Sequence, residues 1–217
     1  MLSEAETRGA VMKLIFIGDL HIRGSNPRNR IDDYKEAAKE KLREVFELAE
    51  AVEATAIICP GDVFNQPVVS IAVLLEFARL FQESPVPIYS TIGNHDVFGY
   101  NLDTFERTSL KLLEMLVPQL HIKQDYVHLG SELKPLGVVT FQPYTNLLDI
   151  NGYGYSYDIP PQEKQIHIHV AHAMLMDHTP PFDRYCLRSV DMTKTCSEIL
   201  SMPRQICLLV LPQVIAI

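Results

Sequence analysis

The chain has 217 residues, of which 47% are apolar, and it carries a formal net charge of −8. This length and apolar fraction fit one globular domain with an adequate core, and no apolar run is long enough to span a bilayer. The acidic balance argues against tight, stable nucleic-acid binding, which ordinarily uses a basic surface. The four cysteines show no Cys-x-x-Cys spacing, so a reducing cytoplasm is the expected location.

The first half of the chain is predicted to alternate strands with helices. Three apolar runs rich in β-branched residues predict short buried strands, at residues 13–17, 55–60 and 86–92. Apolar residues at helical spacing predict three helices, one after the acidic pair Asp32 and Asp33 and two more at about residues 70–82 and 103–117. Such an alternating series implies a parallel sheet.

The second half of the chain has a different pattern. Apolar runs separated by loops rich in Pro, Gly, Asn and Tyr predict further strands, at residues 126–129, 137–142 and 165–171. We interpret these strands as a second sheet packed on the first. The polar residues 1–11 predict a disordered lead-in, so the predicted domain spans residues 12–217.

Each predicted strand of the first half ends in a short phrase that contains metal-ligand side chains. The phrases are Gly18-Asp19-Leu20-His21, Gly61-Asp62-Val63-Phe64 and Gly93-Asn94-His95-Asp96. The carboxyl ends of strands in an open α/β sheet share one edge, and ligands bind at that edge. The mixture of carboxylate and amide oxygens with imidazole nitrogens suits divalent cations such as manganese, iron or zinc.

These phrases predict a pair of cation sites. Asp19 and His21 are one residue apart and offer an oxygen and a nitrogen to one cation. Asp62 follows the next strand and would share its carboxylate with a second cation, to which Asn94 offers an amide oxygen. His172, after the last predicted strand, is a further candidate ligand of the second cation. Two cations about 3.5–4 Å apart clamp a phosphate and activate a water, so the pattern predicts a metal-dependent hydrolase.

His95 is the predicted catalytic residue, because it is not needed as a ligand and can protonate a leaving oxygen or stabilise the transition state. Asp96 is expected to fix the tautomer of His95. Each phrase alone has an ordinary alternative, such as a solvated loop, a turn or a helix cap. Three phrases at three strand ends favour the metal site.

These motifs resemble those of the calcineurin-like metallophosphoesterases in order and spacing. The resemblance covers about residues 12–172, and Gly-Asn-His-Asp is its most specific part. It implies a two-sheet α/β/β/α sandwich with two bound divalent cations. By the same resemblance, Asp19, His21 and Asp62 hold the first cation, and His95 is the catalytic histidine. Asp62 also holds the second cation, and its remaining ligands are Asn94 and His172.

Within this superfamily, the chain resembles the nuclease subunit of the bacterial and phage SbcCD type. The similarity lies in Gly-Asp-Leu-His followed by the stretch at residues 28–34 and a long helix. It implies a manganese-dependent DNA nuclease of recombination or repair, with DNA as substrate and an SMC-like ATPase as partner; a homodimer is also considered. Arg23, Arg28 and Arg30 would then contact the phosphate backbone, although an ordinary polar loop explains them equally well.

The chain departs from the family pattern after His172. The family closes its site with Gly-His-x-His, which supplies one imidazole to each cation, whereas this chain has no such motif and no histidine after His178. It has instead an apolar tail at residues 204–217, which we interpret as aberrant. Codons for residues 213–217 can encode Gly-His-Arg-His in a shifted frame. We therefore hypothesise a frameshift between His172 and Gln205, which would leave the domain C-terminally incomplete and reduce or abolish its activity.

Two other functions stay open at this point. A phosphatase or small-molecule phosphodiesterase would use the same fold and cations, and the acidic balance of the chain favours it. A catalytically dead binding module would follow from the loss of two histidine ligands.

Overall fold

The first half of the chain forms a four-stranded parallel sheet. A computed structural model of the chain describes residues 11–131, 134–145, 166–172, 175–176, 190–191 and 205–210. The strands of this sheet lie side by side in chain order: β1 (Leu14–Phe16), β2 (Ala56–Cys59), β3 (Ile88–Ser90) and β4 (Leu120–Ile122). The first three lie within the predicted runs. The sequence prediction missed β4, because three residues are too few to show a period.

Three α-helices connect these strands: α1 (Tyr34–Ala51), α2 (Ile71–Phe81) and α3 (Ser109–Leu116). Polar residues cap all three, since the side chain of Asp33, Ser70 or Thr108 accepts a hydrogen bond from a backbone N–H of the first turn. The prediction of one helix over residues 103–117 is wrong in its first half. Two 3₁₀ turns, Phe98–Tyr100 and Leu102–Arg107, come before α3. The extended backbone and capping hydroxyl of Thr108 separate them from the α-helix.

The second sheet contains strands from the rest of the chain. Its order is β10-β7-β6-β5, built from β5 (Tyr126–Ser131), β6 (Lys134–Gln142), β7 (Ile166–His172) and β10 (Gln205–Val210). Strand β5 pairs antiparallel with β6, whereas β6, β7 and β10 are mutually parallel. A short parallel pair, β8 (Leu175–Met176) with β9 (Val190–Asp191), lies apart from both sheets.

The first sheet buries a different core on each face. Alternate residues of β2 separate the two, because Ile57 and Cys59 face the helices while Ala56 and Ile58 face the second sheet. The core against the second sheet includes the buried side chains of Phe141 and Val170. The predicted mixed α/β fold with two packed sheets is therefore confirmed. No helix in the described residues is long and apolar enough to cross a membrane.

Two regions singled out in the sequence fall wholly or partly outside the described residues. Residues 1–10 of the predicted lead-in are not described, and Val11 is exposed. In the apolar tail, only the backbone of β10 is described, and residues 211–217 are not.

Candidate metal centre

The loops that follow β1, β2 and β3 meet the end of β7 at one edge of the first sheet. The loops after β1 and β2 continue the parallel pairing beyond the strands, because the N–H of His21 donates to the carbonyl of Asp62 at 2.9 Å. The next residue, Ile22, forms an isolated parallel bridge with Phe64 and is fully buried. These contacts fix the two ligand-bearing loops against each other.

The structure brings the predicted ligands together as two groups that share one carboxylate. Asp19, Asp62 and His172 form one group, and His21, Asp62 and His95 form the other. Within each group the candidate ligand atoms all lie within 4.8 Å of one another. Three oxygen- or nitrogen-bearing side chains at this separation can surround a divalent cation.

The backbone at this edge is strained. His21 and Asp62 adopt positive φ angles of 44° and 50°, which non-glycine residues rarely adopt. Gly93 has no room for a side chain, because a Cβ there would lie 2.1 Å from Asp62 Oδ1. Such strain persists only where the surrounding structure holds it, and it clusters at functional sites.

Asp62 lies at the centre of both groups and is fully buried. Its Oδ1 accepts a hydrogen bond from the backbone N–H of His95 at 2.8 Å. Its Oδ2 has no hydrogen-bond partner among the described residues and lies 3.7 Å from His21 Nε2 and 3.5 Å from His172 Nε2. Burial raises the pKa of Asp62 to about 7. The side chain therefore fits a site in which a cation stabilises the buried negative charge.

His172 is held in the tautomer that a metal ligand requires. Its Nδ1 lies 2.9 Å from the carbonyl oxygen of Pro60, to which it can only donate. Burial lowers the pKa of His172, so the ring is neutral and its Nε2 is an acceptor. Asn94 Oδ1, 2.8 Å away, is an acceptor too, and a cation bound by both atoms would relieve their repulsion. A ring that donates one N–H to a backbone carbonyl and offers the other nitrogen is the usual arrangement of a metal-bound histidine.

The side chains of the first predicted cation site also lack protein partners. Both carboxylate oxygens of Asp19 and the Nδ1 of His21 are shielded from solvent, and none of the described residues hydrogen bonds to them. Burial lowers the pKa of His21, and the nearby His95 lowers it further. The neutral imidazole, which is the form that binds metal, is therefore favoured. Buried polar atoms are nearly always satisfied in folded proteins. These unsatisfied atoms, with the unpaired Oδ2 of Asp62, fit a pair of divalent cations.

His95 differs from His21 and His172, the other two histidines of the centre, because it is exposed. The ring stands edge-on to His21 with 4.9 Å between centroids, and its Nδ1 lies 3.0 Å from the carbonyl oxygen of Asn65. A bound substrate can therefore reach His95, while the remaining nitrogen, Nε2, is available to hold or release a proton. His95 also belongs to the group that contains His21 and Asp62, so its ring is a further candidate cation ligand.

The prediction that Asp96 fixes the tautomer of His95 is wrong. Asp96 is fully buried, and its carboxylate accepts hydrogen bonds from the backbone N–H groups of Phe64 and Gly93, at 3.2 and 2.9 Å. The carbonyl of Asn65 occupies the position predicted for it beside His95. Asp96 instead connects the turns after β2 and β3. Burial raises the pKa of Asp96 to about 7, and the negative charge of Asp62 makes a smaller contribution in the same direction.

The three predicted phosphate-contacting arginines are in different environments. Arg30 forms a two-bond ion pair with Asp32, at 2.6 and 2.9 Å, and its guanidinium lies over the ring of Tyr34. Arg28 is exposed. The Nε of Arg23 is shielded from solvent without a hydrogen-bond partner among the described residues, and the charge of Arg23 contributes to the lowered pKa of His21. Of the three, Arg23 is therefore the one most closely coupled to the centre.

Some contacts at the centre had no signal in the sequence. The carbonyls of Pro60 and Asn65 orient His172 and His95, and a backbone oxygen can come from any residue type. The ring of Tyr144 lies 6.2 Å from that of His172, and Tyr100 contacts Tyr144 in turn. Neither tyrosine belongs to a ligand motif, so only the folded chain places them there.

Comparisons with known proteins identify the family of the chain. No curated protein matches the sequence. One crystal structure aligns over 90% of this chain and 82% of its own, with a TM-score of 0.50 and 10% identity, which indicates a shared fold alone. A structure titled as that of a novel archaeal phosphodiesterase aligns over 79% of each chain, with 16% identity and a TM-score of 0.36. The sequence profile of the calcineurin-like phosphoesterases matches residues 12–202, which include every candidate ligand, and the chain therefore belongs to the calcineurin-like phosphoesterase family.

Proposed function

We propose that this protein hydrolyses phosphodiester bonds with two divalent cations, and that its substrate is DNA. Family membership supports a metal-dependent phosphoesterase. The observation that carries the proposal is the buried carboxylate of Asp62, whose Oδ2 lies between His21 and His172 without a hydrogen-bond partner in the described residues. A carboxylate shared in this way is what a paired-cation site needs.

Each cation site would draw on side chains described above. Asp19, His21 and Asp62 would hold the first cation, and Asp62, Asn94 and His172 the second. Bound divalent cations supply charge stabilisation to the phosphate and lower the pKa of a bound water. We propose manganese, because the ligands combine hard oxygens with imidazole nitrogens.

The protein itself supplies proton transfer and orientation. His95 lies at the exposed mouth of the centre, where its Nε2 can protonate the leaving oxygen while the carbonyl of Asn65 accepts from Nδ1. The backbone N–H of His95 donates to Asp62 Oδ1, so one residue both presents the acid and orients the shared carboxylate. This geometry couples the position of the acid to the position of the cations.

DNA as the substrate rests on the loop after β1 and on the similarity of residues 28–34 to the SbcCD-type nucleases. The Nε of Arg23 has no hydrogen-bond partner among the described residues, and we propose that its guanidinium contacts a phosphate of the backbone. A role in recombination or repair with an SMC-like ATPase, and assembly as a homodimer, belong to the same proposal. A phosphatase or small-molecule phosphodiesterase is the second candidate, and the net charge of −8 favours it.

A frameshift before Gln205 is a further part of this proposal. Strand β10 pairs with β7 in parallel register, with Val210 opposite His172. It therefore ends at the same sheet edge as His172, where the family motif Gly-His-x-His would deliver its two imidazoles. Resequencing the gene beyond the His172 codon tests the hypothesis, because a frameshift requires third bases that spell this motif.

The direct test of the function is hydrolysis by the purified chain with added Mn²⁺. We expect cleavage of a generic aryl phosphodiester and of linear DNA, slower for this chain than for the frame-restored protein, and a fall in kcat of about 10²–10⁴-fold for His95→Ala. His128→Ala is the matched control, because His128 is an exposed histidine on β5. Equal activity of wild type and His95→Ala would refute the role of His95. Faster cleavage of nucleotides than of DNA would favour the second candidate.

If the chain as written binds Mn²⁺ and cleaves neither substrate, while the frame-restored protein cleaves DNA, the missing imidazoles explain the loss. If neither protein binds Mn²⁺, the proposal of a metal-dependent hydrolase fails. If the nucleotide sequence confirms the tail and metal binds without turnover, the chain is a binding module.

A further inference from the structure

The peptide at His21 is held on both sides. His21 has a positive φ of 44°, a conformation that costs a non-glycine residue about 1 kcal/mol or more. Its N–H donates to the carbonyl of Asp62 at 2.9 Å. The hydroxyl of Tyr34 donates to the carbonyl of Leu20 at 2.9 Å and lies 3.2 Å from the carbonyl of His21, so its single proton is shared between them. One phenol therefore contacts two consecutive carbonyls of the loop that carries Asp19 and His21.

Tyr34 is itself fixed in position. It is the first residue of α1, and its N–H donates to Asn26 Oδ1 at 2.9 Å. The guanidinium of Arg30 lies 5.0 Å from the centre of its ring, and Arg30 is held in turn by its ion pair with Asp32. The phenol therefore projects from the start of a long helix and is braced by the loop in front of it.

The hydroxyl of Tyr34 is a reliable donor. The ring is half-buried, and a tyrosine hydroxyl is protonated at neutral pH. A protonated phenol donates to a carbonyl, whereas a phenolate would repel it. Without this donor, the carbonyls of Leu20 and His21 would lose the hydrogen bond that they share.

We propose that Tyr34 is a positioning residue for the metal centre, and that its hydroxyl holds the Asp19–His21 loop in the conformation that binds the first cation. The inference rests on the proposed metal-dependent function and assigns part of the metal affinity to a residue outside the ligand set. It also gives Arg30 a structural role in bracing Tyr34, in place of the predicted contact with DNA phosphate.

The test is direct Mn²⁺ binding to the full chain in the absence of substrate. Free Mn²⁺ is measured by electron paramagnetic resonance during titration of wild type and Tyr34→Phe, which removes only the hydroxyl. Loss of an outer contact of a metal ligand typically weakens metal binding by about 10–100-fold, and we expect a Kd increase in that range. Activity at saturating Mn²⁺ should fall much less than activity at limiting Mn²⁺.

Tyr126→Phe is the matched control, because Tyr126 is an exposed tyrosine on β5 that contacts His128. Asn26→Ala is a second variant that loosens Tyr34 without touching its ring, and it should raise the Kd less, in the same direction. Unfolding by urea separates a general loss of stability from a loss of metal affinity. The inference is supported if the Kd rises for Tyr34→Phe and is unchanged for Tyr126→Phe.

An unchanged Kd for Tyr34→Phe, or equal shifts for Tyr34→Phe and Tyr126→Phe, would overturn the inference and leave the proposed function intact. Lower stability with unchanged metal affinity would overturn it too, because Tyr34 would then serve the fold alone. Absence of Mn²⁺ binding to both this chain and the frame-restored protein would overturn both the inference and the proposed function.

Discussion

Gly93 lies where the turn after β3 presses against the shared carboxylate, and Gly93→Ala is the most informative single change. A Cβ at this position would lie 2.1 Å from Asp62 Oδ1, 2.4 Å from Asp62 N and 2.7 Å from Asp62 Cγ. Two of these atoms belong to a side chain that is fully buried, so it cannot swing into solvent. The substitution therefore has to move either the carboxylate or the turn.

The size of the effect follows from the displacement. Real Cβ contacts are essentially never shorter than 3.0 Å, so the carboxylate oxygen has to move by about 0.9 Å. A functional site tolerates only about 0.5 Å. A misplacement of about 1 Å can cost about 100-fold in activity, and overpacking a buried site costs about 1–3 kcal/mol in stability. We expect losses of this size in Mn²⁺-dependent turnover and in the free energy of unfolding, together with weaker Mn²⁺ binding.

Gly99→Ala is a matched control on the neighbouring turn. A Cβ at Gly99 meets no atom within 4 Å, although the residue has a φ of +55°. The control therefore carries the backbone strain of alanine at positive φ without the collision at the centre. Mn²⁺ titration, turnover and urea unfolding are measured on both variants beside wild type.

The reasoning fails if Gly93→Ala binds Mn²⁺ as tightly as wild type. It also fails if both variants lose the same metal affinity, because a general loss of stability would then explain the loss without any displacement of Asp62. Lower stability for Gly99→Ala with normal metal binding agrees with it.

Two further predictions concern charged residues. Arg23→Ala should raise the KM for DNA several-fold, because a lost phosphate contact is worth about 1 kcal/mol, and it should leave Mn²⁺ affinity unchanged. Arg28 is exposed, and an equal rise in KM for Arg28→Ala would mean that net charge alone matters. Glu76→Gln should lower the free energy of unfolding at pH 7 by at most about 1 kcal/mol, because Glu76 pairs with Lys35 and Lys39 but is a third exposed and screened by water. Hydrogen bonds from these lysines lower the pKa of Glu76 below 4.5, so its stabilisation is present above that pH and is lost as the pH falls through the folded-state value. A destabilisation that does not shrink as the pH is lowered below 4.5 in urea titrations would contradict the assignment.

The candidate ligands could be predicted from the sequence because their signal is local. Asp19 and Asp62 belong to Gly-Asp pairs that come directly after apolar runs, and His21 is two residues beyond Asp19. The carboxyl ends of parallel strands meet at one edge of the sheet. The structure brings these residues together with Asn94 and His172. Their roles as ligands, and that of His95 as the acid, stay predictions until metal binding and turnover are measured.

Short or irregular elements were harder to predict. Strand β4 has three residues, and the region before α3 has enough helical periodicity to hide the break at Thr108. In both cases the tertiary structure outweighs the local pattern, because β4 is defined by its pairing with β3 and Thr108 by its capping hydrogen bond.

The sequence by itself determined the α/β class, the strand ends that carry the candidate ligands and the chemistry that these residues suit, since each depends on residue type and short-range spacing. Only the tertiary structure decided which atoms are left without partners, that Asp96 serves two turns rather than His95, and that Tyr34 supports the loop of His21. These outcomes depend on distances between residues far apart in the chain and on backbone carbonyls, which every residue type carries. For that reason the contacts that orient the ligands could not be predicted from the sequence.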